Sequence, residues 1–553
     1  MDNMDMNNMD NIIITNIFWE RVFLHIIIKS TNEDFKINEH GIGFYNKRLK
    51  TFIPIESKET DQGQYEFEIN ITCVKNRSFL ENGEWKFGYF QDEEFYDALI
   101  AEEPAYRYDD LSRIFRYGKG NQYCYTVDFD LIAKETDGKL YFKLRSYFMR
   151  SNKRWHKRHQ LEEGIYTKKV FKKSLFAIKI FAINAFYKLC LLFSPKNGKR
   201  VMFMSETKSF INGNLMFLDE EMKKEKLDEV YHITYSFRRA VGSNQSIFSW
   251  FKVLAKVARQ DYIFVDDYAP IFNYLNLSKK TILVQLWHAG AGFKAVGYCR
   301  FGKKGSPYPC MSVHKKYNYG IVGSEKLIKV FEEVWSIDKE SILPLGMARL
   351  DNYLDPKKIK AFEEEFYKEY PELKKKKIIL FAPTYRGKGQ ATANYDFTKI
   401  DFERIYNFCK DEYVFAIKLH PFILDPPPIP EEYKNRIYDF SEVKNINDLY
   451  YVSDIMITDY SSSYYEFSLM KRPILFYTYD RCFYELSRGV YQSIKESAPG
   501  KVCDTFDELM EALENKDYEL DKTLQFVKDN FDNFNNDASK KILKTILNKK
   551  VVK

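Results

Sequence analysis

The chain has 553 residues, too many for one small core, and typical domain sizes point to about three units. Its 85 basic and 78 acidic residues leave a formal charge of +7, a mildly basic balance that excludes a nucleic-acid-binding composition. Eight cysteines without CxxC spacing, none grouped with His at ligand spacing, read as buried thiols of a reducing cytoplasm.

The start, MDNMDMNNMDN, is polar and acidic and reads as no signal peptide. No uninterrupted apolar run reaches the roughly 18 residues of a spanning helix. Residues 1–165 alternate at period two, as in Tyr65–Thr72. Hairpin turns are expected at Asn82-Gly83 and Asp137-Gly138, and Trp85, Phe87, Tyr89 and Tyr141 suit pleated surfaces. A sandwich-like β-rich accessory domain is expected. His156 and His159 lie in or beside a basic run, Lys153 to Arg158, that reads as a solvated link.

Residues 166–198 form a basic amphipathic helix. Lys168, Lys169, Lys172, Lys173 and Lys179 gather on one side, with Phe171, Phe176, Ile178 and Phe181 over much of the rest. Such a helix suits a membrane interface with anionic lipid, or it links and packs on the next domain. Residues 199–355 alternate β and α, with strands at Val201–Met204, His232–Tyr235, Tyr262–Val265, Thr281–Leu286 and Tyr319–Val322. Residues 356–553 repeat the pattern after a linking helix near Lys357–Tyr367. Strands follow at Ile378–Phe381, Val414–Leu419, Ile455–Thr458 and Ile474–Tyr477, and helices at Asp507–Glu514 and Ala538–Leu547. The fold class is α/β: two facing Rossmann-like domains with a cleft between the carboxyl ends of their sheets.

Six polar strand ends are candidates for that cleft. Trp287-His288, in a glycine-containing loop, offers an imidazole able to take a proton from a hydroxyl, and Lys294 follows it. The glycines miss the GxGxxG spacing, which excludes a dinucleotide fingerprint. Ser324 follows the strand Tyr319–Val322. Arg349 suits a phosphate or pairs with Asp351. Thr384 and Arg386 follow Ile378–Phe381, and Lys418 and His420 follow Val414–Ile417. The last is Asp459-Tyr460-Ser461-Ser462-Ser463, a phosphate site at a helix N-terminus or, through Ser463-x-x-Glu466, a capping box. Arg386, His420, Ser461 and Ser462 together suit a diphosphate. No metal cluster is expected in these loops, so protein donors carry the phosphate charge.

The ordered motifs WHAGAGFKAVGY, VGSE, PLGMARLD, FAPTYRG, KLHP, ITDYSSSYYEF, KRPILFY and SRGVY resemble the CDP-glycerol glycerophosphotransferase family, the teichoic-acid primases and polymerases. The resemblance spans roughly Lys199 to Asp507. It implies a GT-B fold and transfer of glycerol phosphate from CDP-glycerol to a hydroxyl of a lipid-linked or polymeric cell-envelope glycan, with CMP released. CDP-ribitol is the alternative donor within the family. His288 and His420 are implied as catalytic, and Arg386, Thr384, Lys418, Ser461, Ser462 and Asp459 as donor-binding. Lys294, Ser324, Arg349 and Arg488 are the other cleft residues. The resemblance also implies peripheral attachment to the cytoplasmic face of the membrane; no cofactor is expected, and a metal requirement stays open. A homo-oligomer stays open, and no nucleic acid is a partner. WHAGAGFK departs from the family's WHG-x-P-x-K, and Gln492-Ser-Ile-Lys495 replaces an acidic-aromatic stretch after Arg488-Gly-Val-Tyr491. Both departures bear on polyol or acceptor specificity. A nucleotide-sugar glycosyltransferase and a non-catalytic membrane scaffold are the rival readings.

Overall fold

The computed structural model describes residues 11–60, 63–118, 123–133, 139–150, 166–239, 246–288, 294–303, 305–309, 312–387, 390–532 and 534–549. The expected turn at Asp137-Gly138, the basic run with His156 and His159, and residues 289–293 lie outside them. The chain forms two compact units. One comprises Met1–Ala182, Val296–Lys316 and Glu332–Glu340, and the other Ile183–Ala295, Tyr317–Phe331 and Ser341–Lys553.

The first unit is β-rich, as the sequence suggests. Twelve strands join in one continuous hydrogen-bonded sheet, antiparallel except where Ile12–Glu20 runs parallel to Leu99–Ile100. The aromatic-rich alternating segments feed a single core around Trp85, Tyr89, Tyr117 and Tyr125. Two segments the sequence places in the first Rossmann-like domain belong here instead. Tyr298 is buried against Tyr117, Arg21 pairs with buried Glu333 at 2.8 Å, and Arg77 pairs with Asp338 at 2.9 Å.

The second unit holds two six-stranded parallel sheets. The first runs His232–Phe237, Arg200–Ser205, Tyr262–Val265, Ile282–Gln285, Tyr319–Ile321, Ile342–Leu343. The second runs Ile437–Asp439, Tyr413–Ile417, Lys377–Phe381, Ile455–Thr458, Ile474–Tyr477, Lys501–Cys503. In chain order the second sheet reads 3-2-1-4-5-6, the doubly wound order, and the first reads 2-1-3-4-5-6. Alternation builds both faces of the second sheet: Ile378 and Leu380 enter one core, Ile379 and Phe381 the other.

The C-terminal helix Ala538–Leu547 returns to the first sheet, although its sequence position places it with the second. Ile542, Leu543 and Ile546 pack with Val201, Phe203 and Leu215. Asp351 caps it, accepting from the backbone N–H of Ala538 at 2.9 Å and of Ser539 at 2.8 Å. Asp351 is therefore not the partner of Arg349. Arg349 pairs instead with Glu466 from the helix Ser463–Ser468, which also removes Glu466 from the expected capping box. Beside that pair, a Cβ added at Gly323 would meet the Tyr465 hydroxyl at 2.5 Å, so the glycine permits the approach of loop and helix.

Candidate active site

Strand order places two switch points in the second unit, where neighbouring strands lead their connections to opposite sides and leave a crevice at their carboxyl ends. In the second sheet this point lies between Lys377–Phe381 and Ile455–Thr458. These strands deliver Thr384 and Arg386 on one side and Asp459 and the serine turn on the other. In the first sheet it lies between Arg200–Ser205 and Tyr262–Val265, which deliver Thr207 and Lys208 beside Asp266 and Asp267.

His288 stands just beyond the strand Ile282–Gln285, next to that second point. Its side chain is 48% exposed, its Nδ1 lies 3.6 Å from Asp267 Oδ1, and its ring is tilted against Trp287 at 4.6 Å. The pose is held from below. Trp287 sits at φ +51°, a left-handed conformation that costs a non-glycine residue energy. Its N–H donates to Gln285 Oε1 at 2.8 Å, and Asn214 Nδ2 donates to its carbonyl. Asn214 Oδ1 in turn accepts from the Arg349 N–H at 3.0 Å. Asp267 is fixed by Thr207 Oγ1 at 2.7 Å and the Tyr268 N–H at 2.7 Å. Neighbouring Asp266 pairs with Lys208 at 2.8 Å, while burial raises its pKa.

Arg386 is not available to a diphosphate. Its Nε and Nη2 grip Asp480 at 2.7 and 2.9 Å, and its Nη1 donates to Asp459 at 2.9 Å and to the Thr384 carbonyl at 2.6 Å. Tyr395, Tyr460, Tyr479 and Tyr484 surround the guanidinium within 5.5 Å. Burial draws its pKa down, but Asp459 and Asp480 outweigh that and hold it above its ordinary value. Asp459 is equally committed. At 1% exposure it also accepts from the backbone N–H of Thr384 at 2.7 Å and of Tyr460 at 2.6 Å. Thr384 is buried with it, and Ser324 is wholly buried in the loop beside Tyr465, so neither offers a hydroxyl to a substrate. These residues shape the crevice; they do not line it.

The groups left to meet an anion are Lys294, His420, Arg488 and the serine turn. Lys294 forms an isolated antiparallel bridge with Val490, and the Ala295 N–H donates to the Gly489 carbonyl at 3.2 Å, which joins Lys294 and Ala295 to the segment that follows the second sheet's strand Ile474–Tyr477. Lys294 is solvent-accessible yet surrounded by protein mass. Desolvation there lowers its pKa; Asp459 opposes that, and Arg488 and Arg386 add to it. Arg488 donates to the Gly387 carbonyl and lies 5.7 Å above the Tyr385 ring. Tyr385 packs on His420 at 4.7 Å. His420 Nδ1 accepts from the Phe422 N–H at 3.1 Å, which assigns the proton of the neutral ring to Nε2. Burial, then Lys294 and Lys418, depress the His420 pKa, so at neutral pH the ring is an uncharged donor. Lys418 itself is buried and donates to the Ser441 carbonyl at 2.7 Å. In the turn, Ser461 and Ser463 hydroxyls bond each other, and Ser462 makes no side-chain cap. The helix that follows is six residues long, shorter than the sequence suggests.

Asp267, Asp480 and Tyr385 were not singled out from sequence. Asp267 and Asp480 follow strands, at Tyr262–Val265 and Ile474–Tyr477, and that position is the signal that marks them.

Residues 186–548 match the family described as CDP-Glycerol:Poly(glycerophosphate) glycerophosphotransferase. A teichoic acid ribitol-phosphate polymerase, TarL, of Staphylococcus aureus (strain NCTC 8325 / PS 47) is 34% identical over 380 residues, 68% of each chain. A teichoic acid glycerol-phosphate primase of Bacillus subtilis (strain 168) is 31% identical over 261 residues, 46% of this chain and 64% of that protein. Among solved structures, the wall teichoic acid polymerase TagF aligns with a TM-score of 0.53 and 22% identity, over 69% of this chain and 97% of that chain.

Proposed function

The chain belongs to the CDP-Glycerol:Poly(glycerophosphate) glycerophosphotransferase family, and we propose that it moves a polyol phosphate from a CDP-polyol to a hydroxyl of a lipid-linked or polymeric cell-envelope glycan, releasing CMP. The two parallel sheets then act as the halves of a GT-B fold. The acceptor hydroxyl attacks the β-phosphorus in line and passes its proton to His288. The phosphoanhydride bond breaks, and its electrons leave on CMP. Asp267 orients the His288 ring and balances the imidazolium that forms. The neutral His420 Nε2–H, Lys294, Arg488 and the backbone of Ser461 and Ser462 meet the phosphate and leaving-group charge. Preorganised donors of this kind typically contribute a few kcal/mol each to transition-state stabilisation.

The observation that carries this reading is the pair of positions His288 and Lys294. His288 stands in an exposed imidazole–carboxylate pair beside one sheet, and Lys294 is bridged to Val490, next to Arg488, beside the other. Ribitol phosphate is the unit favoured, because the longer match is to a ribitol-phosphate polymerase; glycerol phosphate is the second reading. The product belongs to teichoic-acid or capsule synthesis.

Attachment to the cytoplasmic face of the membrane is part of the proposal. No helix among the described residues is long and apolar enough to cross a bilayer. The helix Tyr166–Leu192 holds itself down through Ile183 and Tyr187, with the Tyr187 hydroxyl accepting from the Ser278 N–H at 3.1 Å. Its Phe181, Leu189 and Leu192 remain exposed beside Lys179 and Lys188, an arrangement suited to an anionic interface.

A donor panel tests the reaction. Purified protein with a membrane acceptor extract should release CMP from CDP-ribitol and, more slowly, from CDP-glycerol. UDP released from a UDP-sugar without CMP from either polyol donor would refute the assignment.

A further inference from the structure

On the sheet of the first unit, outside the family-matched residues, four side chains converge. Ile12–Glu20, Phe23–Ser30 and Tyr65–Asn70 are adjacent antiparallel strands, and their register sets His25 directly opposite Phe18 on one side and Glu68 on the other. Glu20 and Glu66 lie one pleat away from those positions and on the same face. His25 is 4% exposed, and its ring is clamped in a 4.6 Å parallel stack on Phe18.

The two ring nitrogens have different surroundings. Nδ1 lies 2.7 Å from Glu66 Oε1, a hydrogen bond that places the proton on Nδ1. In the neutral ring that leaves Nε2 as the lone-pair nitrogen, buried and with no hydrogen-bond partner. It points at two carboxylates, with Glu20 Oε2 at 3.6 Å and Glu68 Oε2 at 3.5 Å. Both distances are too long for hydrogen bonds. They match a different requirement. Two ligands bound at 2.0–2.2 Å in tetrahedral geometry stand about 3.4 Å apart. The donor atoms of Glu20, His25 and Glu68 all lie within 4.8 Å of one another.

We propose that Glu20, His25 and Glu68 form a Zn²⁺ site, with one imidazole nitrogen and two carboxylate oxygens as protein ligands and one position open to solvent. Glu66 is the positioning residue. It fixes the ring's orientation and tautomer, the arrangement that metal-bound histidines commonly use. Borderline-soft nitrogen with carboxylate oxygen favours Zn²⁺ over Mg²⁺ or Ca²⁺, which prefer all-oxygen shells. The site ties three adjacent strands together.

The test uses the full chain without an affinity tag, stripped with chelator and titrated with Zn²⁺ alone. One equivalent per chain is expected. The double variant Glu20→Gln/Glu68→Gln, altered on the outward side of the sheet where folding tolerates change, should lose it. Glu66→Gln should weaken binding by about 10–100-fold. Co²⁺ in place of Zn²⁺ should give the visible bands of a four-coordinate ion in the unaltered chain and not in the double variant. No stoichiometric binding, or equal binding by the double variant, would overturn the proposal.

Discussion

Replacing Arg386 by Met removes every bond that its guanidinium makes and leaves Asp459 and Asp480 facing each other inside the protein. The native side chain spends its fork on two carboxylates and a carbonyl within a ring of four tyrosines. Asp459, with 1% of its side chain exposed, has no water to take over, whereas Asp480 at 18% is partly screened. Breaking a buried pair by removing one partner typically costs about 3–5 kcal/mol, and the screening of Asp480 argues for the lower end, about 3 kcal/mol. That is a shift of roughly 150-fold in the unfolding equilibrium. Denaturant titration of the full chain should show the midpoint fall. Arg386→Met in an Asp480→Asn background should cost less, because one of the stranded charges is already gone. The donor KM of Arg386→Lys should change less than its stability. A midpoint equal to that of the unaltered protein, together with a many-fold rise in donor KM, would refute this reasoning and restore Arg386 as a direct phosphate ligand.

His288→Ala should reduce kcat by about 10²–10⁴-fold, the usual loss of a positioned base, with no change in denaturation midpoint because the ring is half exposed. Asp267→Asn should give a smaller loss and an altered pH–rate profile; near-normal turnover in His288→Ala would remove the base assignment. Burial pushes the His314 pKa from 6.5 down to about 4. The folded state therefore keeps this ring neutral while the unfolded chain protonates it. The associated stability is fully present above pH 6.5 and is lost as pH falls through 4, roughly 3 kcal/mol in all from the 6.5 to 4 difference. Urea titrations at pH 7.5 and 4.5 should show this loss reduced in His314→Gln, and an identical pH slope in the variant would refute it.

Much of the second unit was legible because buried parallel strands are short apolar runs stopped by polar turns. Tyr262–Val265, Ile455–Thr458 and Ile474–Tyr477 appear in the structure with the bounds that the sequence suggests. Ile342–Leu343, Ile437–Asp439 and Lys501–Cys503 did not stand out, since two or three residues give no periodicity to read. The strand-end rule located His288, Lys294, His420 and the serine turn, and the family resemblance added Arg488. It did not tell which polar side chains face the crevice and which hold it together. Arg386 and Thr384 share a loop with crevice-facing Tyr385, yet both are turned inward toward Asp459.

The sequence by itself determined the alternation of strands and helices, the polar turn after each strand, and hence the set of candidate residues, because these depend on local pattern and spacing. Tertiary structure alone decided the pairings. Arg349 takes Glu466 and not its near neighbour Asp351; Asp351 caps a helix that returns to the first sheet; His25 bonds Glu66, 41 positions away, because strand register brings their strands side by side. The physical reason is common to all three. A buried charge or lone pair must find a partner within a few ångströms, and the fold sets which residues come that close.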